Sequence, residues 1–198
     1  MKKAIIGSLV GAIIIFIWQF LSFAFINFHK AAQQYTEKQD AIMNFLNSQG
    51  LEEGGYFLPN LPDGASMDDQ NKYMAETEGK PWATIQYHSK MENDMVMSMI
   101  RGFLVNFVTV LLFCWLIFKM NAPSFGTIAT AALAVGLIAF LFEAYTGSIW
   151  YKFFDIWAFL LDAVVAWGLT GLWLGWWLTK GRNKLSTVKI PEREKELA

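Results

Sequence analysis

Residues 150–180 read WYKFFDIWAFLLDAVVAWGLTGLWLGWWLTK. The run 153–178 is long enough to cross a bilayer as a helix, yet it holds Asp155 and Asp162 inside or at the edge of its apolar stretch. A carboxylate facing lipid is costly, so Asp162 is expected to face protein or water. The two acids are seven residues apart and fall within about 20° of each other on a helix. Gly168, Gly171 and Gly175 project from the opposite side. The stretch therefore reads as a membrane helix with an acidic face and a small-residue face.

Composition supports this reading for the rest of the chain. Of 198 residues, 55% are apolar and only 17% charged, and the apolar residues come in blocks, as in membrane proteins. A net charge of −1 and the lack of a basic, aromatic-interleaved groove exclude nucleic acid as an expected partner. The single cysteine, Cys114, rules out an intrachain disulfide and a multi-cysteine metal cluster.

In chain order, 4–28 is the first expected transmembrane helix. Ser22 and Ala24 would also suit signal cleavage after Ala24, but the apolar run exceeds the usual signal length, which favours an uncleaved anchor. The polar segment 29–98 follows. Thr36 and Gln39 precede helical spacing at Ala41, Ile42, Phe45 and Leu46 up to Gly50. Tyr56-Phe57-Leu58 reads as a short strand between Gly and Pro breakers. Ser66, Asp68 and Asp69 mark the start of a helix over 67–78, and Trp82–His88 reads as a second strand. Spans two, three and four are expected at 99–118, 125–142 and 153–178. Asn121-Ala122-Pro123 would close spans two and three into a tight hairpin, and a short turn at Gly147 would join spans three and four. A polar tail, 179–198, ends the sequence.

The amino end, the 119–124 loop and the tail carry Lys2, Lys3, Lys119, Lys180, Arg182, Lys184, Lys189, Arg193 and Lys195 against Glu192, Glu194 and Glu196. The opposite side holds fewer basic groups and many more acids. The positive-inside rule then puts both termini in the cytoplasm and 29–98 outside. The fold class expected is mainly α: a four-helix integral membrane bundle with a small α+β extracytoplasmic segment between helices 1 and 2. GGYFLPNLP, GKPWATIQYH and FDIWAFLLDAVVAWGLTGLWLGWWL together resemble an uncharacterised family of small four-span bacterial membrane proteins. The resemblance implies this topology only and assigns no residue a role; a bacterial inner membrane with a periplasmic segment is expected from the charge bias and from the lack of an Asn-x-Ser/Thr acceptor in the outer segment.

Four constellations stand out. Asn106, Asp162 and Gln19 lie at similar depth from the outer helix ends and are positioned to meet, with Arg101, Glu143, Lys152 and Asp155 as a shallower layer in which Arg101 would pair with Asp155 or Glu143. This cluster reads first as a hydrogen-bonded knot fixing helix register and second as a proton-accepting or ligand-binding site. Gly7 and Gly11 in span one repeat the small-residue spacing of Gly168, Gly171 and Gly175, while Gly126, Thr130 and Ala134 form a stripe in span three. Intrachain packing is the first expectation for these stripes and a homo-oligomer the second. His88, Met91, Met95, Met97 and Met99 offer soft donors of the kind that hold Cu(I), although methionines also fill irregular contacts where a loop enters a membrane. Trp150, Tyr151 and Trp157 at one end, and Trp173, Trp176 and Trp177 at the other, suit interfacial belts.

No GxSxG, P-loop, HExxH or CxxC motif is present, and His29 and His88 are the only histidines. The expected function is non-enzymatic: binding another membrane or periplasmic protein, or stabilising an envelope complex, within the lipid bilayer. The alternative is a small transporter or a proton- or metal-handling protein that uses Asp162 or the extracytoplasmic Met-rich Cu(I) site.

Overall fold

The computed structural model describes residues 2–180. Within it, four helices are long and apolar enough to cross a membrane: 2–25, 95–118, 125–151 and 156–179. The tail expected from 179 onward lies, from 181, outside the described residues. The chain divides into a helical unit and a separate unit spanning 35–93.

In the helical unit, α1 (Lys2–Phe20) continues through a π-helical segment, Leu21–Phe25. Helix α4 spans Met95–Phe118, α5 spans Phe125–Ala139, and α7 spans Ile156–Thr179. Helix α1 packs against α4 and α7, and α5 packs against α7. Ile15, Val110, Phe113, Ile128, Ala166 and Leu174 form part of the apolar core between them. The outward faces are apolar as well: Ile5, Leu9, Ile13 and Ile17 on α1, and Leu104, Val108, Leu112 and Leu116 on α4, are exposed. Helices that are apolar on every side suit a nonpolar solvent rather than water.

Helices α1 and α7 run antiparallel in close register. Lys3 donates from Nζ to the Lys180 carbonyl at 2.8 Å, placing a cation on the orphan carbonyls at the end of α7. The Trp177 and Trp173 indoles donate to the Lys3 and Gly7 carbonyls at 2.9 and 3.1 Å. A Cβ at Gly7 would lie 3.1 Å from Leu174, and one at Gly11 would lie 3.1 Å from Thr170 and 2.9 Å from Val110. Glycine at these positions lets α1 approach both neighbours.

Helix α5 does not pack along α4 as the expected tight hairpin would require. It packs chiefly against α7, where small residues allow a close approach. A Cβ at Gly136 would meet the Ala163 carbonyl at 2.7 Å, one at Gly171 the Ala129 carbonyl at 2.9 Å, and one at Gly175 Phe125 at 2.9 Å. Of the expected stripes, Gly126, Thr130 and Ala134 are exposed, and a Cβ added at Gly168 would meet nothing within 4 Å; the small face of α5 that packs is Ala129, Ala132 and Gly136.

The third span also runs past its expected end. A π-helical segment, Phe140–Tyr145, carries it through Glu143 into α6 (Thr146–Tyr151). Gly147 is therefore helical, packed against Phe153, and the reversal comes at Lys152, with φ +43°. Apolar residues on both sides of Glu143 sustain the helix despite that charge.

The 35–93 unit contains α2 (Gln39–Ser48), β1 (Gly54–Leu58), α3 (Met67–Thr77) and β2 (Ala83–Tyr87). The two strands pair antiparallel, Tyr56 opposite Ile85. Ser66 and Asp69 form the capping box that starts α3. Helix α2 lacks a side-chain cap; Thr36 instead accepts from the Lys38 amide at 3.3 Å.

Candidate functional site: an Asp–His–Asp cluster

His29 belongs to the helical unit rather than to the polar segment that 29–98 was expected to form. After the wide π turn the chain reverses at Asn27, with φ +56°, and the Phe28 amide bonds back to the Ser22 carbonyl at 2.9 Å. This reversal folds the imidazole back over the end of α1. It stacks on Phe23 with a 3.7 Å centroid separation and takes the edge of Phe159 at 4.8 Å.

Both ring nitrogens meet acids of α7. Nδ1 lies 2.7 Å from Asp155 Oδ2, and Nε2 lies 3.1 Å from Asp162 Oδ2. The side chain of His29 is 1% exposed, that of Asp155 6% and that of Asp162 16%. Asp155 stands at the N-cap position of α7 but does not cap it with its side chain, which is turned to the imidazole instead. Asp162 Oδ1 accepts from the Trp18 indole at 2.9 Å and from the Ser22 hydroxyl at 2.6 Å.

Each of the two ring contacts needs one proton, carried either by the ring nitrogen or by the carboxyl it faces. The unit is then an imidazolium between two carboxylates, or a neutral imidazole that donates to one acid and accepts from the other. These forms hold equal numbers of protons, carry the same net charge of −1, and interconvert by moving one proton along a contact of 2.7 or 3.1 Å.

The residues singled out from sequence divide accordingly. Asp155 and Asp162 share the imidazole. Asn106 donates to the Gln19 side chain at 2.8 Å, and both border the same cavity as Asp162. Glu143 also lines this cavity, from the second π segment. Arg101 is exposed, and among the described residues neither it nor Lys152 pairs with Asp155, Asp162 or Glu143. Histidine, not arginine, is the partner of the acids. The cavity measures about 500 Å³.

Met95, Met97 and Met99 lie in α4 rather than in a strand. Helical spacing turns Met97 away from the face shared by Met95 and Met99, while His88 and Met91 belong to the 35–93 unit.

His29, Trp18 and Ser22 are the site residues that sequence reasoning missed. The available signal was a histidine one residue beyond an apolar run, within which Trp18 and Ser22 stand at i and i+4 on one helix face. Comparison with protein families, curated proteins and solved structures found no match.

Proposed function

We propose that this chain is an integral membrane protein whose working part is the Asp155–His29–Asp162 relay and the adjoining cavity: a proton-handling site of the kind a small proton-coupled transporter requires. One observation carries the reading. A fully buried imidazole engages a carboxylate at each nitrogen, and one of those carboxylates borders a cavity. The groups facing the imidazole are Asp155, Asp162 and Phe159 from α7 and Phe23 from the end of α1, with Trp18 and Ser22 bonded to Asp162. Burying such groups gives no stability that an apolar core could not match. Protons arriving at Asp162 can reach Asp155 through the ring, because each nitrogen serves one acid.

The four apolar helices and their exposed apolar faces support a bilayer location. The Lys/Arg bias supports a bacterial inner membrane orientation with both ends cytoplasmic and the polar segment periplasmic.

The test is infrared difference spectroscopy and dye-detected proton exchange on purified protein in liposomes. Carboxyl and imidazole bands should change together as protons are exchanged, and His29→Gln and Asp162→Asn should each abolish the exchange while the helical circular dichroism persists. Absence of proton exchange in the unmodified protein, or its persistence in both variants, refutes the proposal. A relay that only braces the helices predicts the opposite pattern, lost folding with no exchange to lose.

A second reading, a partner-binding protein, is favoured by the 35–93 unit. Its helix α2 leaves Ile42, Met43 and Phe45 exposed, Phe45 by 61%. A partner recovered stoichiometrically in mild detergent and lost on Phe45→Ser supports that reading; recovery unaffected by the substitution rejects it.

A further inference from the structure

The cavity beside Asp162 is acidic and aromatic at once. Asp162 and Glu143 border it, no lysine or arginine among the described residues does, and Trp18, Phe140, Phe153 and Trp167 contribute ring surface. The Trp18 and Ser22 hydrogen bonds and the His29 contact leave one of the roughly four lone-pair positions of Asp162 open toward the cavity's polar lining. Glu143 is exposed, at the open side of this space, and has no ion-pair partner among the described residues. At about 500 Å³ the space falls within the usual range for a small-molecule site.

We infer that this cavity binds a monovalent organic cation with an aromatic or alkyl body. Two carboxylates supply the opposite charge, and ring faces attract a cation that has given up its water. An anion would meet both acids. A bare metal ion would find too few oxygen ligands in too large a space, and an acyl chain would leave two carboxylates facing hydrocarbon. The inference rests on the proposed role of Asp162 as a working group, and it names what that group faces.

Tetraphenylphosphonium and tetraphenylborate have the same shape and opposite charge, so they separate charge recognition from apolar fit. In equilibrium dialysis of the full chain in detergent, the phosphonium should bind saturably at one site and the borate should not. Glu143→Gln should weaken phosphonium binding by about tenfold. Equal binding of both ions, no saturable binding of the phosphonium, or a co-purified phospholipid that the phosphonium does not displace overturns the inference. These outcomes are read on the unmodified protein and so do not depend on a variant folding. Proton exchange is measured without ligand. Exchange without cation binding therefore overturns this inference alone, and cation binding without exchange overturns only the relay.

Discussion

Removing His29 should not affect its two acids equally, and that inequality can be measured. In His29→Ala, Asp155 loses the only side-chain partner seen for it among the described residues, at 2.7 Å, in a setting where its side chain is 6% exposed. Asp162 loses a longer contact of 3.1 Å and keeps Trp18 and Ser22. Stranding one member of a buried ion pair costs about 3–5 kcal/mol, so the single variant should be destabilised by about that much. Replacing both members with apolar groups leaves no stranded charge. A double-mutant cycle between His29→Ala and Asp155→Ala should therefore give a coupling of about 2–3 kcal/mol, whereas the cycle with Asp162→Ala should give about 1 kcal/mol or less. Reversible unfolding of the detergent-solubilised protein in increasing denaturing surfactant supplies the four free energies of each cycle. Additive effects at His29 and Asp155, within about 0.5 kcal/mol, would mean that the pair is not formed. Equal coupling to both acids would mean that Trp18 and Ser22 do not support Asp162 as described.

Two glycines of the α5–α7 interface should behave oppositely. Gly136→Ala places a Cβ 2.7 Å from a backbone carbonyl and should cost about 1–3 kcal/mol, while Gly168→Ala meets nothing within 4 Å and should change stability by less than about 0.5 kcal/mol, both read by the same unfolding assay. In the 35–93 unit, the Ser89 hydroxyl and then its amide, at 2.6 and 3.1 Å, hold the Glu53 carboxyl below its ordinary 4.5. Because the folded value is the depressed one, the associated stability is present above 4.5 and is lost as pH falls through the folded value. An NMR titration of the Glu53 side chain should show this depression and its reduction in Ser89→Ala, which removes the hydroxyl and leaves the amide; an unchanged titration in the variant argues against the hydroxyl contact.

How much of this was legible in the sequence depended on which interactions are local. The spans, the start of α3 at Ser66 and the two strands follow from periodicity and from residues a few positions apart, whereas the capping spacing at Thr36 and Gln39 forms no side-chain cap and the capping box falls at Ser66 and Asp69. Asp155 and Asp162 stood out because they lie on one helix, and their shared face follows from a seven-residue spacing. Asn106 and Gln19 could be matched by depth alone, since antiparallel helices convert sequence position into height. His29 could not. Its position depends on a π turn and a reversal at Asn27, neither of which has a composition signature, and it follows an apolar run as any loop residue does. The same limit applies to the third span: a charge at Glu143 marks a helix end when local polarity decides, but the wider π turn carries the backbone past it. Electrostatic intuition paired the acids with Arg101 because arginine is the permanent cation, whereas the backbone delivers a titratable one.

The His29 contact with Asp155 joins residues 126 positions apart in the chain. At a synthesis rate of about 5–20 residues per second, on the order of ten seconds separate the emergence of the imidazole from that of its acids. Throughout that interval the first helix carries an indole, a hydroxyl and an imidazole with no acid to receive them. Helix α7 thus completes the cluster, and the Lys3–Lys180 hydrogen bond joins the far ends of α1 and α7. A chain halted before residue 155 therefore holds His29 without either of the acids that engage its ring in the folded protein.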